Sequence, residues 1–493
     1  MLLLDDIWSI VDIQRIGVPS PTRMNRCKVV FTTRSKEVCS EMRVDVEMEV
    51  KCLASDEAWE LFRMRVGGLT LESHPDIPQV ARVIAQKCYG LPLALNVIGE
   101  TMSSRKTIQE WSHAQNVLTS FAAGFSCIQD KILPILNFSY DNLKDEMFRR
   151  CLKYCALFPE DYEIEKEELV EYWICEGIID GGKDRDADKN HGYEIIGTLV
   201  RACLLMEYEH REFLKMHDMV REMALWITAD LGKKKDSFVV KTGSGLNHVP
   251  EVEDWSVVQK MSLMENEIEK ISACPYGTNK LVTLFLQNNK LVSISERFFQ
   301  WMTELKVLDL SSNESLTELP ADISKISLVA AGSSAPSGQE DMPQQHMKIP
   351  SPTHFRSLTR VDIVNCEGLR DLTWLMYAPS LTHLHVEMSF QTEEIISREK
   401  VMKIDGREKF TTPFLKLESL SLVFLYAVKS IYWSPLPFPA LKNLTIRRCP
   451  NLKKLPLDSA SAKGCDLVLD AYKEWLRDVE WEDEATKNRF CPT

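Results

Sequence analysis

The 493 residues contain no apolar run approaching the roughly 18 residues that a membrane-crossing helix requires, so no direct membrane span is expected. Basic excess is lacking too: 59 Lys and Arg stand against 72 Asp and Glu, a formal charge of -13, with no long basic run. Nucleic-acid binders hold phosphates with clustered Lys and Arg, so nucleic acid is not an expected partner. The 14 Cys are scattered, without paired CxxC or Cys/His spacing, which excludes a disulfide scaffold and a zinc module. Cys151 and Cys155 share a helix face, but no second pair completes a metal site. The thiols read as those of a reducing cytosol. A secretory leader is also missing: the apolar Met1–Leu4 runs straight into Asp5 and Asp6, with no basic stretch and no small-residue cleavage site. A cytoplasmic protein is expected.

What is present suits a globular chain, 44% hydrophobic and 27% charged, long enough for roughly three domains. The first fifty residues read as part of an α/β domain. Leu2-Leu3-Leu4 is a continuous apolar run, as in a parallel strand buried on both faces. A second strand is expected from Lys28 to Arg34 and a third at Val46 to Val50. From Ala54 to Phe121 the pattern is helical. Ser55-Asp56-Glu57 supplies an acidic first turn, Val80, Ile84 and Cys88 line one face, Gly90 stops that helix and Pro92 starts the next. A second helical block spans Ile132 to Ile227, with a charged loop expected at Lys183 to Asn190. Strands at Leu204–Glu207 and Glu212–Lys215 suggest a winged helix.

Beyond Gly243 the texture becomes repetitive. Leu281, Leu284, Leu286, Asn289 and Leu291 fit L-x-x-L-x-L-x-x-N-x-L, and Leu305, Leu308, Leu310 and Asn313 repeat the frame 24 residues on. Leu358, Val361, Ile363 and Cys366; Leu381, Leu384 and Val386; Leu417, Leu420 and Leu422; and Leu441, Leu444, Ile446 and Cys449 continue it. Each unit should give a short strand that stacks on the next, with Asn or Cys bonding the turn backbone. Residues 326–352, rich in Ser, Ala, Gly, Pro and Gln, carry no frame and read as an irregular linker, which would leave two unstacked solenoid ends. The stretch Tyr472 to Glu484, with Trp475 and Trp481, reads as a short amphipathic helix capping the last repeat.

Two acids closing an apolar strand form a Walker B pattern, in which the first carboxylate holds Mg²⁺ and the second orients or deprotonates a water. On its own the pattern is most often a solvated turn. Its company is more telling. Asp5-Asp6-Ile7-Trp8, Val29-Val30-Phe31-Thr32-Thr33-Arg34, Cys52-Leu53-Ala54 before Trp59-Glu60-Leu61-Phe62, Gly90-Leu91-Pro92-Leu93-Ala94, Cys155-Ala156-Leu157-Phe158-Pro159-Glu160-Asp161-Tyr162 and Met216-His217-Asp218 follow in that order. The series, with repeats behind it, closely resembles plant disease-resistance receptors of the coiled-coil NB-ARC leucine-rich-repeat kind.

The resemblance implies a multidomain α/β plus α architecture. Its expected parts are a partial P-loop NTPase α/β remnant at 1–50, a helical subdomain at 51–130 and a winged helix at 131–240. Leucine-rich repeats at 250–325 and 353–458 would flank the linker at 326–352, and a tail would occupy 459–493. It further implies a switch operated by ADP/ATP with Mg²⁺. Asp5 would serve Mg²⁺ and Asp6 hydrolysis, Arg34 would sense the terminal phosphate, Pro92 would pack near adenine, and His217 would touch the ADP β-phosphate. Judged without the series, Arg34 is a solvated strand-end charge, Pro92 a helix starter, and His217 and Asp218 the cover of a helix start.

The family's phosphate loop, G-x-x-x-x-G-K-[ST], does not occur in these residues. The nearest approach, Gly177 to Lys183, is followed by Asp184. Since that loop supplies most phosphate binding, the chain is expected to be truncated at its front, to bind ADP or ATP weakly or not at all, and to show no significant ATPase activity. The absent strand, placed between Leu2–Leu4 and Lys28–Thr33, would leave unpaired edges. Pathogen effectors or guarded host proteins would be read by outward strand positions such as Thr283, Phe285, Val307 and Asp309, with self-association on opening and peripheral plasma-membrane attachment through a segment ahead of Met1. The alternatives are an active ATPase, a DNA-binding regulator (against which the acidic balance speaks) and a non-signalling decoy or interfering fragment.

Overall fold

A computed structural model describes the chain apart from residues 6, 8, 20, 23, 34–35, 123–127, 180–184, 208–211, 230–236, 272–277, 296–297, 318–354, 405–411 and 491–493. Strands β1 (Leu2–Leu4) and β2 (Val29–Phe31) open it and pair directly and in parallel, Leu2 opposite Val29 and Leu4 opposite Phe31. No strand intervenes between them, so the expected gap at this edge does not exist. Nor are these strands buried on both faces: Leu3 is 66% and Val30 50% exposed. After the short helix α1 (Lys36–Glu41), residues 46–50 form no strand; Val46, Met48 and Val50 point into solvent with no partner strand to pair.

The helical block comprises α2 (Ser55–Val66), α3 (Gly68–Leu71), α4 (Ile77–Lys87), α5 (Pro92–Ser103), α6 (Ile108–Ala122) and α7 (Ile128–Asp141). Its core gathers Phe62, Ile77, Ala81, Ile84, Leu95, Ile98 and Trp111. Gly90 is fixed by geometry. Its φ is +72°, a Cβ there would stand 2.3 Å from the Leu53 carbonyl oxygen, and its own carbonyl accepts from Leu53 N at 2.9 Å. Only glycine tolerates that backbone approach at positive φ, and Pro92 then starts α5 at its first helical position.

The winged helix follows: α8 (Glu146–Cys155), β3 (Ile164–Glu165), α9 (Lys166–Glu176), α10 (Arg185–Arg201), β4 (Met206–Glu207), β5 (Phe213–Lys215) and α11 (Asp218–Thr228). The three strands form an antiparallel sheet in the order β3-β5-β4. The charged stretch expected as a loop belongs to α10 from Arg185 onward, because its charges are engaged: Asp188 is buried, and Arg185 and Lys189 both pair with Glu171 of α9. Residues 183–184 lie outside the described residues.

The remainder is a solenoid. Its sheet runs β6 (Phe238–Val240), β7 (Lys260–Ser262), β9 (Thr283–Phe285), β11 (Val307–Asp309), β12 (Arg360–Val364), β13 (His383–Glu387), β14 (Ser419–Val423), β15 (Asn443–Arg447) and β16 (Val468–Ala471), all parallel, with a minor pair β8 (Lys270–Ile271) and β10 (Ser293–Ile294) on another side and helix α12 (Arg398–Ile404) between repeats. Leucines at the frame positions form one continuous core. The turns are bonded as the frame requires. Asn289 donates to the carbonyls of Leu263 (2.8 Å) and Leu286 (3.0 Å) and accepts from Ile268 N, and Asn313 does the same one repeat on. Cys366 and Cys449 replace Asn and direct Sγ at the carbonyls of Leu310 and Leu422.

The solenoid has no unstacked ends at its interruption. β11 pairs with β12 in register, Leu308 opposite Val361, although the irregular stretch, which lies outside the described residues, separates them. The frame resumes in phase at Leu358, so the ladder closes, and Phe355 packs between Phe299 and Trp374 beneath it. The end of the solenoid is covered by two short helices rather than one, α13 (Lys473–Asp478) and α14 (Glu484–Phe490), with Trp475, Trp481 and Phe490 against the last repeats and Trp475 Nε1 donating to the Cys449 carbonyl at 3.2 Å.

Candidate functional site

The residues expected to touch nucleotide fall into two groups. Asp5 ends β1, is exposed, and accepts a hydrogen bond from the Thr32 hydroxyl at the end of β2. The carboxyl ends of two parallel strands thus share one oxygen-rich corner, the place where open α/β sheets bind ligands. Asp6 and Arg34 lie outside the described residues. The packing of β1 is chiefly on β2, and among the described residues no hydrogen bond joins Asp5 to the second group.

That second group is a pair of helix starts. Pro92 opens α5 and is exposed, while its neighbours Leu91 and Leu93 pack on the winged-helix core. His217 is the N-cap of α11, with Nδ1 accepting from Met219 N at 3.2 Å. Both helices pack on α7, and Met216 and Val220 belong to the same core as Leu91 and Leu93. Each helix start offers orphan N–H groups of the kind that receive an anion, and the residues beside Pro92 and His217 join one core. Asp5 and Thr32 offer hard oxygen donors of the kind Mg²⁺ takes, and the helix starts offer N–H groups. The donors that would grip the phosphates from the strand side are not among the described residues.

A larger site was not legible from the sequence. Helix α9 lies in the concave face of the repeats. Phe285 of β9 inserts among Tyr172, Phe158 and Tyr154, with ring centroids 5.0, 5.5 and 6.0 Å away. Phe158 comes from the Leu-Phe-Pro-Glu-Asp motif, which Arg221 of α11 ties in place by donating to the Phe158 carbonyl at 2.7 Å and standing 3.7 Å from Glu160. At the end of α9, Glu176 pairs with Lys260 of β7 and accepts from Thr283 of β9 at 2.5 Å, and its carbonyl accepts from Lys306 at 2.7 Å. Burial outweighs Glu176 and holds the Lys260 pKa below the usual lysine range. Thr359 Oγ1 donates to the Cys175 carbonyl at 2.9 Å.

The outward strand positions named above as a recognition surface are consequently covered. Thr283, Phe285 and Val307 are fully buried and Asp309 is 1% exposed. An outward strand position is free only if no other domain lies on the sheet, and here α9 does. The open part of the concave face is the later half, where His385, Glu387, Ser421 and Thr445 line a groove beside α9.

At the boundary between the halves Glu171, Cys175 and His383 converge, all buried. Cys175 Sγ is 3.5 Å from His383 Nδ1, whereas Glu171 is 4.0 Å from Nε2 on the opposite side of the ring. Burial raises Glu171, but Arg185, Lys189 and Arg360 together hold its carboxyl below the usual range. Burial, then Arg185, Arg360 and Lys189, push His383 well below its ordinary value. Three residues gathered under three cations, with two of them on opposite ring nitrogens, make a neutral-imidazole joint and not a cation site.

Glu171, Tyr172, Glu176, Lys260 and Arg360 were the residues missed. One signal was available. Leu169, Val170, Tyr172, Trp173, Ile174 and Cys175 leave α9 apolar nearly all round, the mark of a helix covered on more than one side, and charges at Lys260, Asp309 and Arg360 sit between frame leucines where a partner of opposite sign could meet them.

The architecture agrees with known families along the chain. Residues 1–72 match the NB-ARC domain, 157–224 the disease resistance protein winged helix domain and 279–329 the leucine rich repeat. The chain is similar over its whole length to disease resistance protein SUMM2 of Arabidopsis thaliana (43% identical, 69% of the relative covered). It is likewise similar to disease resistance proteins RPS5 (41% identical, 70% covered) and RFL1 (43%, 70%) of the same plant. Among the described residues no helix is long and apolar enough to cross a membrane. With that likeness across all of its domains, the chain belongs to the plant NB-ARC leucine-rich-repeat disease-resistance proteins.

Proposed function

We propose that the protein acts in plant immune recognition as a nucleotide-operated switch, and that the docking of α9 on the repeats is its resting contact. The observation that supports this reading is the double attachment of the winged helix. One side presents His217 at the start of α11, in the core that Leu91 and Leu93 of the Pro92 segment also join; the other is buried in the concave face through Phe285, Lys260 and Arg360. One continuous core thus links a helix N-terminus suited to a phosphate with the surface that would read a partner protein, a pathogen effector or a guarded host protein on the open half of the face. When bound, Mg²⁺ would neutralise phosphate charge; Asp5 and Thr32 would hold it, and Asp6 and Arg34 would complete the site in the manner of the family.

The test is calorimetric titration of ADP into the 493-residue chain and into a version extended ahead of Met1 by a segment carrying G-x-x-x-x-G-K-[ST]. Binding by the extended form alone is the expected result. Micromolar binding by the 493-residue chain would show that the phosphate loop contributes less than argued and that Pro92 and His217 contribute more. No binding by either form would sink the switch reading and leave a protein-interaction module.

A further inference from the structure

The interface between α9 and the repeats places two carboxyl groups on one phenol. Tyr172 Oη lies 2.8 Å from Glu168 Oε1 and is also hydrogen-bonded to Asp309 Oδ2. A phenol has a single hydrogen to donate. With both carboxyls ionised, one of these contacts would set oxygen against oxygen with no proton between them, in a place where Tyr172 is fully buried and Asp309 is 1% exposed. The cluster closes only with one more proton.

The remaining bonds say where that proton sits. Asp309 accepts from Gln287 Nε2 at 2.8 Å and from Ser311 N at 2.9 Å, so its oxygens already face donors, and the phenol hydrogen completes the set. Among the described residues no N–H group donates to Glu168, so it is the acid that donates to the phenol oxygen. It also lines the groove beside α9, which gives its proton a route to solvent.

We propose that Glu168, Tyr172 and Asp309 form a proton-linked latch: docking of α9 on the repeats takes up one proton, held on Glu168, and losing that proton loosens the docking. The surrounding charges favour this. On the helix side stand Glu168 and Glu171; on the repeat side Asp309, Asp362, Glu265 and the cations Arg360 and Lys290, with His385 opposite Asp362 on the next strand; Tyr162 closes the site from the loop after α8. Arg360 is committed to Asp362 by bonds of 2.6 and 2.8 Å and lies 3.9 Å from Glu171, while Arg185 and Lys189 are spent on Glu171. Burial, then the charges of Asp309 and Asp362, push Glu168 up to about 7; burial, then Asp362, raise Asp309 less. Undocked, Glu168 would be an ordinary acid near about 4. Its contribution to docking is therefore full below about pH 4 and is lost as pH rises through about 7. The latch concerns the docking equilibrium itself and stands apart from the nucleotide reading.

The experiment is hydrogen exchange of the whole chain read by mass spectrometry over 166–176 and 307–309 at about pH 5.5 and about pH 8, corrected for intrinsic exchange, with infrared spectra of the same samples. The wild type should lose roughly tenfold or more in docking protection across that range and lose a protonated-carboxyl absorption. E168Q, which keeps the shape and the neutral state, should flatten the pH dependence to within about twofold and lack the absorption change. D309N, which removes the largest charge acting on Glu168, should move the transition to lower pH. Protection independent of pH in the wild type, an absorption change that persists in E168Q, or a wild-type slope in E168Q would overturn the latch. Should E168Q fail to fold, the wild-type infrared change and the D309N shift still decide it.

Discussion

Replacing Lys260 by Met should undock α9 from the repeats while leaving each domain folded. Lys260 and Glu176 have side chains only 10% and 5% exposed, so the pair exchanges two hydrated ions for one dry contact. Removing one member of a buried pair leaves the other charge uncompensated, at a cost of about 3–5 kcal/mol. The low end applies here, because Thr283 still donates to Glu176 Oε2 at 2.5 Å and Met preserves the volume of the lysine stem. A loss of about 3 kcal/mol corresponds to a docking constant on the order of a hundredfold smaller. Exchange of the α9 amides should accelerate by that factor, with the leucine ladder unchanged. The double variant Lys260→Met with Glu176→Met should recover most of the loss, since no buried charge remains. A double variant as loose as the single one, or a single variant with wild-type protection, would refute the claim that this pair holds the interface.

Two further perturbations probe the framework. Gly90→Ala places a Cβ 2.3 Å from the Leu53 carbonyl oxygen at φ +72°, so stability of the helical block should fall by at least about 2 kcal/mol, seen as a first calorimetric transition several degrees lower; an unchanged transition would show that the 52–54 segment moves freely. Asn289→Ala takes the acceptor from the amide of Ile268 and one of two amide donors from each of the Leu263 and Leu286 carbonyls, which keep Asn266 and Asn313. At about 1–3 kcal/mol for each group left unsatisfied, exchange should rise locally over 263–268 and 286–291, and a uniform rise along the solenoid would contradict the local reading.

The solenoid was the most legible part because its signal is covalently local: a leucine frame and its Asn or Cys recur within about 24 residues, and each recurrence is one strand. Even so, a repeat at Val258, Met261, Leu263, Asn266 and Ile268 went unread, since Val and Met stand where Leu was sought; Asn266, 23 residues before Asn289, was the available clue. The helix boundaries at Gly90 and Pro92 were legible for the same local reason. Charge misled where pairing is remote. Arg185 and Lys189 look like a solvated loop in sequence, and only the fold reveals Glu171 a turn and a helix away. The direct pairing of β1 with β2, and above all the burial of Thr283, Phe285, Val307 and Asp309, depend on which domain lands on which face, which no periodicity records.

Covering half of the concave face has an energetic consequence for any partner that reads the other half. Such a partner shifts docking only as far as it prefers the undocked form, and a hundredfold preference is worth about 2.7 kcal/mol at saturation. That is close to the roughly 3 kcal/mol assigned to Lys260 and Glu176. The boundary residues make this exchange direct. His383 meets Cys175 of α9 through Nδ1, and Glu418 of the next repeat reaches Arg185 of α10 at 3.6 Å. A partner seated on His385, Ser421 and Thr445 would abut these contacts, so its binding energy and the docking energy are spent on neighbouring groups. The Lys260→Met variant should therefore bind such a partner more tightly than the wild type by up to the factor it loses in docking, and equal affinity would mean that the two halves of the face are independent.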